Sequence, residues 1–175
     1  MTKTKKIYAR FEAFEEQLAH CYFLLHERFI ANPPLAKFWA ESAMEELEHF
    51  SILRFCREKG LMSEVELDVE TADLIEDLLE TTKGILSDPE VGIDEAFYAS
   101  LLMESSELDE IYEKLIRTLA KDHRLLYDAI RASLRSHHDR FADGAELYCG
   151  DASFAEAFRM LGMAERRAQA GRSVS

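Results

Sequence analysis

Apolar residues recur at steps of three and four along most of this chain, and few glycines or prolines interrupt them. That period puts side chains on one face of an α-helix, whereas a half-buried strand alternates at every second residue. The 175 residues include only 7 Gly and 3 Pro. An all-β chain would need turn residues at intervals of about 8–12, so the sequence reads as all-α. Collagen-like and low-complexity classes are excluded on the same composition. The length suits one domain spanning residues 1–175 with a single core.

The breaks between the periodic runs set the topology. A first helix runs from Lys5 to Ile30 on the stripe Phe11, Glu15, Leu18, Tyr22, Leu25, Phe29. Asn32, Pro33 and Pro34 end it and start a second, from Pro34 to Lys59, on Leu35, Phe38, Ser42, Glu46, His49, Leu53, Cys56. Gly60 sits where a helix C-cap favours glycine. A long connection from Leu61 to Gly92 contains an amphipathic stretch, Thr71–Asp88, that reads as a shorter helix. A third long helix is expected from Ile93 to Leu119 on Phe97, Leu101, Glu104, Leu108, Ile111, Leu115. Asp122 is the expected N-cap of a fourth, on Leu126, Ile130, Leu134, His137, Phe141. A further C-terminal helix over residues 152–168 carries Phe154, Phe158 and Leu161, and the tail after it should fray. The expected architecture is a four-helix bundle over residues 5–145, two antiparallel hairpins joined by a long crossover, with one extra helix.

A plain bundle would keep its four inward stripes apolar. Here Glu15, Glu46 with His49, Glu104, and His137 interrupt them, one helix after another. An isolated buried carboxylate costs several kcal/mol or more unless it is paired or bound to a cation. A domain holds only about 5–15 kcal/mol of net stability, so a shared metal site is the economical compensation. Glu46 and His49 form E-x-x-H, an i, i+3 pair on one helical face, and Glu104 and Glu107 form E-x-x-E. Bridging carboxylates with few imidazoles favour Fe or Mn in pairs over Zn. Glu15, Tyr22 and His49 also match Glu104, Tyr112 and His137 as a weak internal duplication.

These motifs resemble the rubrerythrin family of the ferritin-like diiron-carboxylate superfamily. Glu15, Gln17 and Tyr22 form E-x-Q-x4-Y; Glu46 and His49 lie in EELEH; Glu104, Glu107 and Tyr112 form E-x-x-E-x4-Y; His137, Arg140 and Phe141 form H-x-x-R-F. The resemblance covers Phe11 to Phe141 and leaves the C-terminal helix unmatched. It implies a ferritin-like bundle whose metal ligands are Glu15, Glu46, His49, Glu104, Glu107 and His137, with Tyr22 and Tyr112 beside the metals. It implies two Fe ions per chain, with Mn or Zn as alternative occupants. The implied activity is that of a diiron oxidoreductase reducing peroxide, or oxidising ferrous iron with oxygen, supplied with electrons by a separate donor protein. A homodimer is the expected assembly. Two other readings stay open: an iron-storage ferroxidase, and a metal-depleted bundle acting as an interaction module. The family's fourth helix has a Glu three residues before its His, and here that position is Leu134. Glu107, water or Asp128 would fill in, or a single position binds tightly, or the site has decayed.

The remaining polar residues read as ordinary. Glu16, on a mostly polar face with Glu12, Ala19, Phe23 and Glu27, and Glu45 and Glu48 are expected in solvent. His20, His26 and His138 are expected at the surface or behind the ligands. Met residues, Cys21 and Cys56 serve packing. With Cys149 the cysteines are odd in number and lack CxxC spacing, which supports neither a disulfide framework nor a Cys-ligated metal. Acidic residues outnumber basic ones 34 to 21, a net charge of −13, which disfavours nucleic acid or an anionic membrane as a partner. No apolar run is long enough for a membrane span and no signal-peptide pattern opens the chain. A cytoplasmic protein is therefore expected.

Overall fold

The computed structural model describes residues 3–62, 69–86, 88–105 and 119–172, with 114, 116 and 117 in between. No strand occurs among them. The helices are α1 (Lys3–Arg28), α2 (Pro33–Lys59), α3 (Val69–Leu86), α4 (Ile93–Glu104), α5 (Leu119–Asp122), α6 (Arg124–Tyr148) and α7 (Ser153–Arg172). No helix among the described residues is long and apolar enough to cross a membrane.

Local chemistry explains the boundaries. Pro33 and Pro34 occupy the first turn of α2, where their missing N–H groups leave no intrahelical bond unmade. Gly60 closes α2 in the left-handed region, φ 73°, and its N–H bonds back to Cys56 O. The expected N-cap at Asp122 is not the one used. Asp122 instead ends α5, and His123, at φ −136° and ψ 49°, starts α6. The backbone accounts for the shift: His123 N–H bonds to Leu119 O, and Tyr127 N–H bonds to His123 O. The third helix expected to reach Leu119 is described only to Glu104, with Ser105 as its C-cap. Leu108, Ile111 and Leu115 lie outside the described residues, as do Glu107 and Tyr112. The C-terminal helix runs on to Arg172, beyond the expected 168.

α1 and α2 pack as an antiparallel hairpin, the most extensive interface among the described residues, and α6 packs on both α2 and α7. α3 lies against α1 and α4. It is fastened by Arg10 on Asp73 and Glu76, and by Lys83 on Gln17. The core is continuous from Tyr8 on α1 to Phe158 on α7. Its aromatic end gathers Phe38, Trp39, Phe97, Phe141 and Phe158, with Phe38–Phe97 and Trp39–Phe97 centroids at 5.4 and 4.9 Å. α7 covers this end: Phe158 meets Phe141 at 5.1 Å, and Asp94 Oδ1 accepts from Gly150 N–H. Each such side chain contributes roughly 1.5–3 kcal/mol by leaving water. α6 lies close against α2 at Gly144, where an added Cβ would fall 2.5 Å from Phe38 Cε2.

Most stripe residues face inward as expected, with instructive exceptions. Leu126 is exposed and its neighbour Tyr127 is buried in its place. Phe29 is only partly buried, at the end of α1. Glu12 and Ala19 are buried although they were expected on the polar face of Glu16, which is exposed. Glu12 can be buried because Arg57 on α2 forks onto both its oxygens.

Candidate metal centre

The interrupting residues of the four stripes converge. Glu15 comes from α1, Glu46 and His49 from α2, Glu104 from the last turn of α4, and His137 from α6. All five are at least nine-tenths buried. The i, i+3 spacing puts Glu46 and His49 side by side, with His49 Nδ1 3.0 Å from Glu46 Oε2 and 3.8 Å from Glu15 Oε2. His137 Nε2 lies 3.1 Å from Glu104 Oε1 and 3.6 Å from Glu46 Oε1. Two ligand groups result, Glu15–Glu46–His49 and Glu46–Glu104–His137, each with its donor atoms within 4.8 Å of one another. Glu46 belongs to both.

Tyr22 reaches the same place from α1. Its hydroxyl donates to Glu104 Oε1 at 2.8 Å, and its ring stacks on Trp39 at 5.8 Å. Phe141, one turn beyond His137, packs on the His137 ring at 4.8 Å. The polar cluster therefore rests directly on the aromatic end.

Charge in this enclosure is finely opposed. Burial pushes the Glu46 carboxyl up to about 7, against the pull of His49 and His137. Burial also acts to raise Glu104, but His137, His138 and the Tyr22 hydroxyl outweigh it and hold that carboxyl at about 2. Burial acts to lower His49 and His137, yet the surrounding carboxylates carry both well above the ordinary imidazole value. Burial and the Glu104 charge push Tyr22 well above 10. In the absence of a cation, protons on the two imidazoles do part of a cation's work. Buried Glu46 Oε1 has no hydrogen-bond partner among the described residues, His137 Nε2 approaching it only to 3.6 Å. Oε1 lies on the His137 side of the carboxylate, and Oε2 lies on the His49 side.

Three further residues pack around the cluster, and one of them departs from its expected place. Glu45, expected in solvent, is partly buried and lies 2.6 Å from His137 Nδ1. His138, expected at the surface or behind the ligands, is buried, its Nε2 3.7 Å from Glu104 Oε2. Arg140, noted only as part of a motif, binds Glu45. Asp128 does not fill in for a missing carboxylate, because it is exposed on α6 and pairs with Arg124. His20 and Glu48 are exposed as expected, and partly buried His26 lies against Ala36 O. Glu107, Tyr112 and the Leu134 side chain lie outside the described residues. The chain matches no family model, no curated protein and no solved structure.

Proposed function

We propose that the cluster is a two-metal carboxylate centre in a ferritin-like bundle, and that the protein is a rubrerythrin-like diiron oxidoreductase. The observation that carries this reading is Glu46, a buried carboxylate common to both ligand groups. One carboxylate common to two three-residue donor groups is the arrangement a bridged ion pair needs. Its Oε1, without a hydrogen-bond partner among the described residues, fits a cation. Glu15, Glu46 and His49 would hold one ion, and Glu46, Glu104 and His137 the other, with Glu107 proposed as a further ligand. Oxygen-rich donors with one imidazole per position suit iron or manganese better than zinc.

Bound as a reduced pair, iron would supply the two electrons that cleave the O–O bond of a peroxide, replenished by a separate electron donor. The chain's own residues do the rest. Tyr22 holds Glu104 Oε1 through its hydroxyl and keeps a proton at that atom. Trp39, Phe97 and Phe141 close the aromatic side against water. Ferrous iron as the substrate uses the same centre, with oxygen or peroxide as acceptor.

The metal-depleted reading has one observation behind it: protonated His49 and His137 offset the carboxylates without any ion. Anaerobic loading with ferrous iron decides between them. The diiron reading expects two iron ions per chain by elemental analysis after gel filtration, none in Glu46→Ala, and oxidation of the loaded protein on adding hydrogen peroxide. Iron no higher than a buffer blank retires the diiron reading. Many irons per chain in a large shell would favour storage.

A further inference from the structure

Glu45 is not a ligand candidate, and its position one residue before Glu46 turns it away from the interior. Its carboxylate nevertheless reaches across from α2 to the back of a ligand on α6. Glu45 Oε2 is 2.6 Å from His137 Nδ1, while His137 Nε2 faces Glu104 Oε1 at 3.1 Å and Glu46 Oε1 at 3.6 Å. The two ring nitrogens are thus divided, one to Glu45 and one to the metal cluster. A histidine whose outer N–H is taken by a carboxylate has its tautomer and ring angle fixed, and its inner nitrogen becomes a better donor.

Glu45 is itself held in place. Arg140 grips it through Nε to Oε1 at 3.0 Å and through Nη2 to Oε2 at 2.6 Å. Arg140 Nη1 in turn donates to Ser42 Oγ at 3.1 Å and to Phe38 O at 3.3 Å. Its guanidinium lies over the Phe38 and Phe141 rings at 4.8 and 5.1 Å. Such a forked, stacked arginine loses little freedom on binding and does not swing aside. A surface ion pair needs none of this anchoring. The anchoring makes sense for a carboxylate that must hold a ring still.

We propose that Glu45, clamped by Arg140, is a positioning residue that fixes His137 with Nδ1–H outward and Nε2 inward, and so sets the affinity of the metal position built on Glu46, Glu104 and His137. The proposal rests on the two-metal reading above. It adds a residue that touches no metal but decides how well one of the two positions binds.

Titration of metal-free protein with Zn(II) by calorimetry, together with long-range nitrogen–proton NMR of the histidines in the zinc-loaded protein, tests it. Wild type is expected to show His137 protonated at Nδ1 and ligated through Nε2. Glu45→Ala is expected to weaken one of the two binding steps about 10- to 100-fold and to lose the fixed tautomer. Glu45→Gln keeps an acceptor for Nδ1–H, so it should retain the tautomer with a smaller loss of affinity. Wild-type affinity at both steps in Glu45→Ala overturns the proposal and leaves the two-metal reading intact. So does ligation of wild-type His137 through Nδ1, a result that needs no variant to fold. No zinc uptake by wild type overturns both.

Discussion

Around Phe38, Trp39, Phe97 and Phe141 the helices meet through ring contacts, whereas a turn or two away the same helices meet through Glu46, Glu104 and His137. Both layers are buried and both lie on the same helical stripes. The aromatic layer stabilises itself, because every buried ring leaves water and gains close contacts. The polar layer holds carboxylates whose burial opposes their charge, and one of their oxygens has no described partner. The difference suggests a division of labour, in which one layer supplies stability that the other spends on a site.

Four outcomes would break or sharpen that contrast. Trimming the aromatic layer should have the largest effect: Phe141→Ala is expected to cost roughly 3–5 kcal/mol in denaturant unfolding, with or without metal. Next, metal at a hundred times its dissociation constant should add about 2.7 kcal/mol per site to the wild type. Glu46→Gln should abolish that increment while leaving the metal-free protein no less stable than wild type. A metal-free Glu46→Gln that is clearly weaker would mean the polar layer stabilises itself too.

Tyr22→Phe removes the hydroxyl that donates to Glu104 across the boundary between the layers. It should cost about 2 kcal/mol, as for a buried hydrogen bond to a charged group. The loss should shrink when a cation neutralises Glu104, which paired melts with and without metal would read.

A last test concerns pH in the metal-free protein. Glu45 and Glu104 are held at about 2, so their contribution is present above 4.5 and is lost as pH falls towards 2. His49 and His137 are raised, so theirs is full below 6.5 and is lost as pH rises through their shifted values. Glu46, raised to about 7, adds a loss as pH rises from 4.5 through 7. Metal-free stability should therefore decline from mildly acidic to alkaline pH, while metal affinity climbs as the same protons leave. Parallel pH series of melts and metal titrations should slope in opposite directions. Slopes of the same sign would show that the protons and the metal do not compete.

What was legible in the sequence was the pattern of interruption. Glu15, Glu46, His49, Glu104 and His137 each broke an apolar stripe, and the structure brings all five together. What was not legible depended on a second helix. Glu12 looked solvated on α1 alone, and only Arg57 on α2 makes its burial tolerable. Glu45 looked solvated on α2 alone, because its partners lie on α6, more than ninety residues away. At the start of α6, placing the cap at Asp122 rather than at His123 accompanied the choice of Leu126 over Tyr127 as the buried residue. Periodicity identifies the face a helix buries, but not which charged residue at its edge will meet a partner.

Gly144 touches no ligand, yet an added Cβ there would fall 2.5 Å from the Phe38 ring. Its missing side chain lets α6 lie against the Phe38 ring of α2, two turns from His137 on the same helix. Any side chain there would act as a wedge between two levers, spreading α2 and α6 where Glu45, Glu46 and His137 must span the gap. The position works as a gauge block: it sets by contact, far from the chemistry, the spacing at which the cluster is assembled.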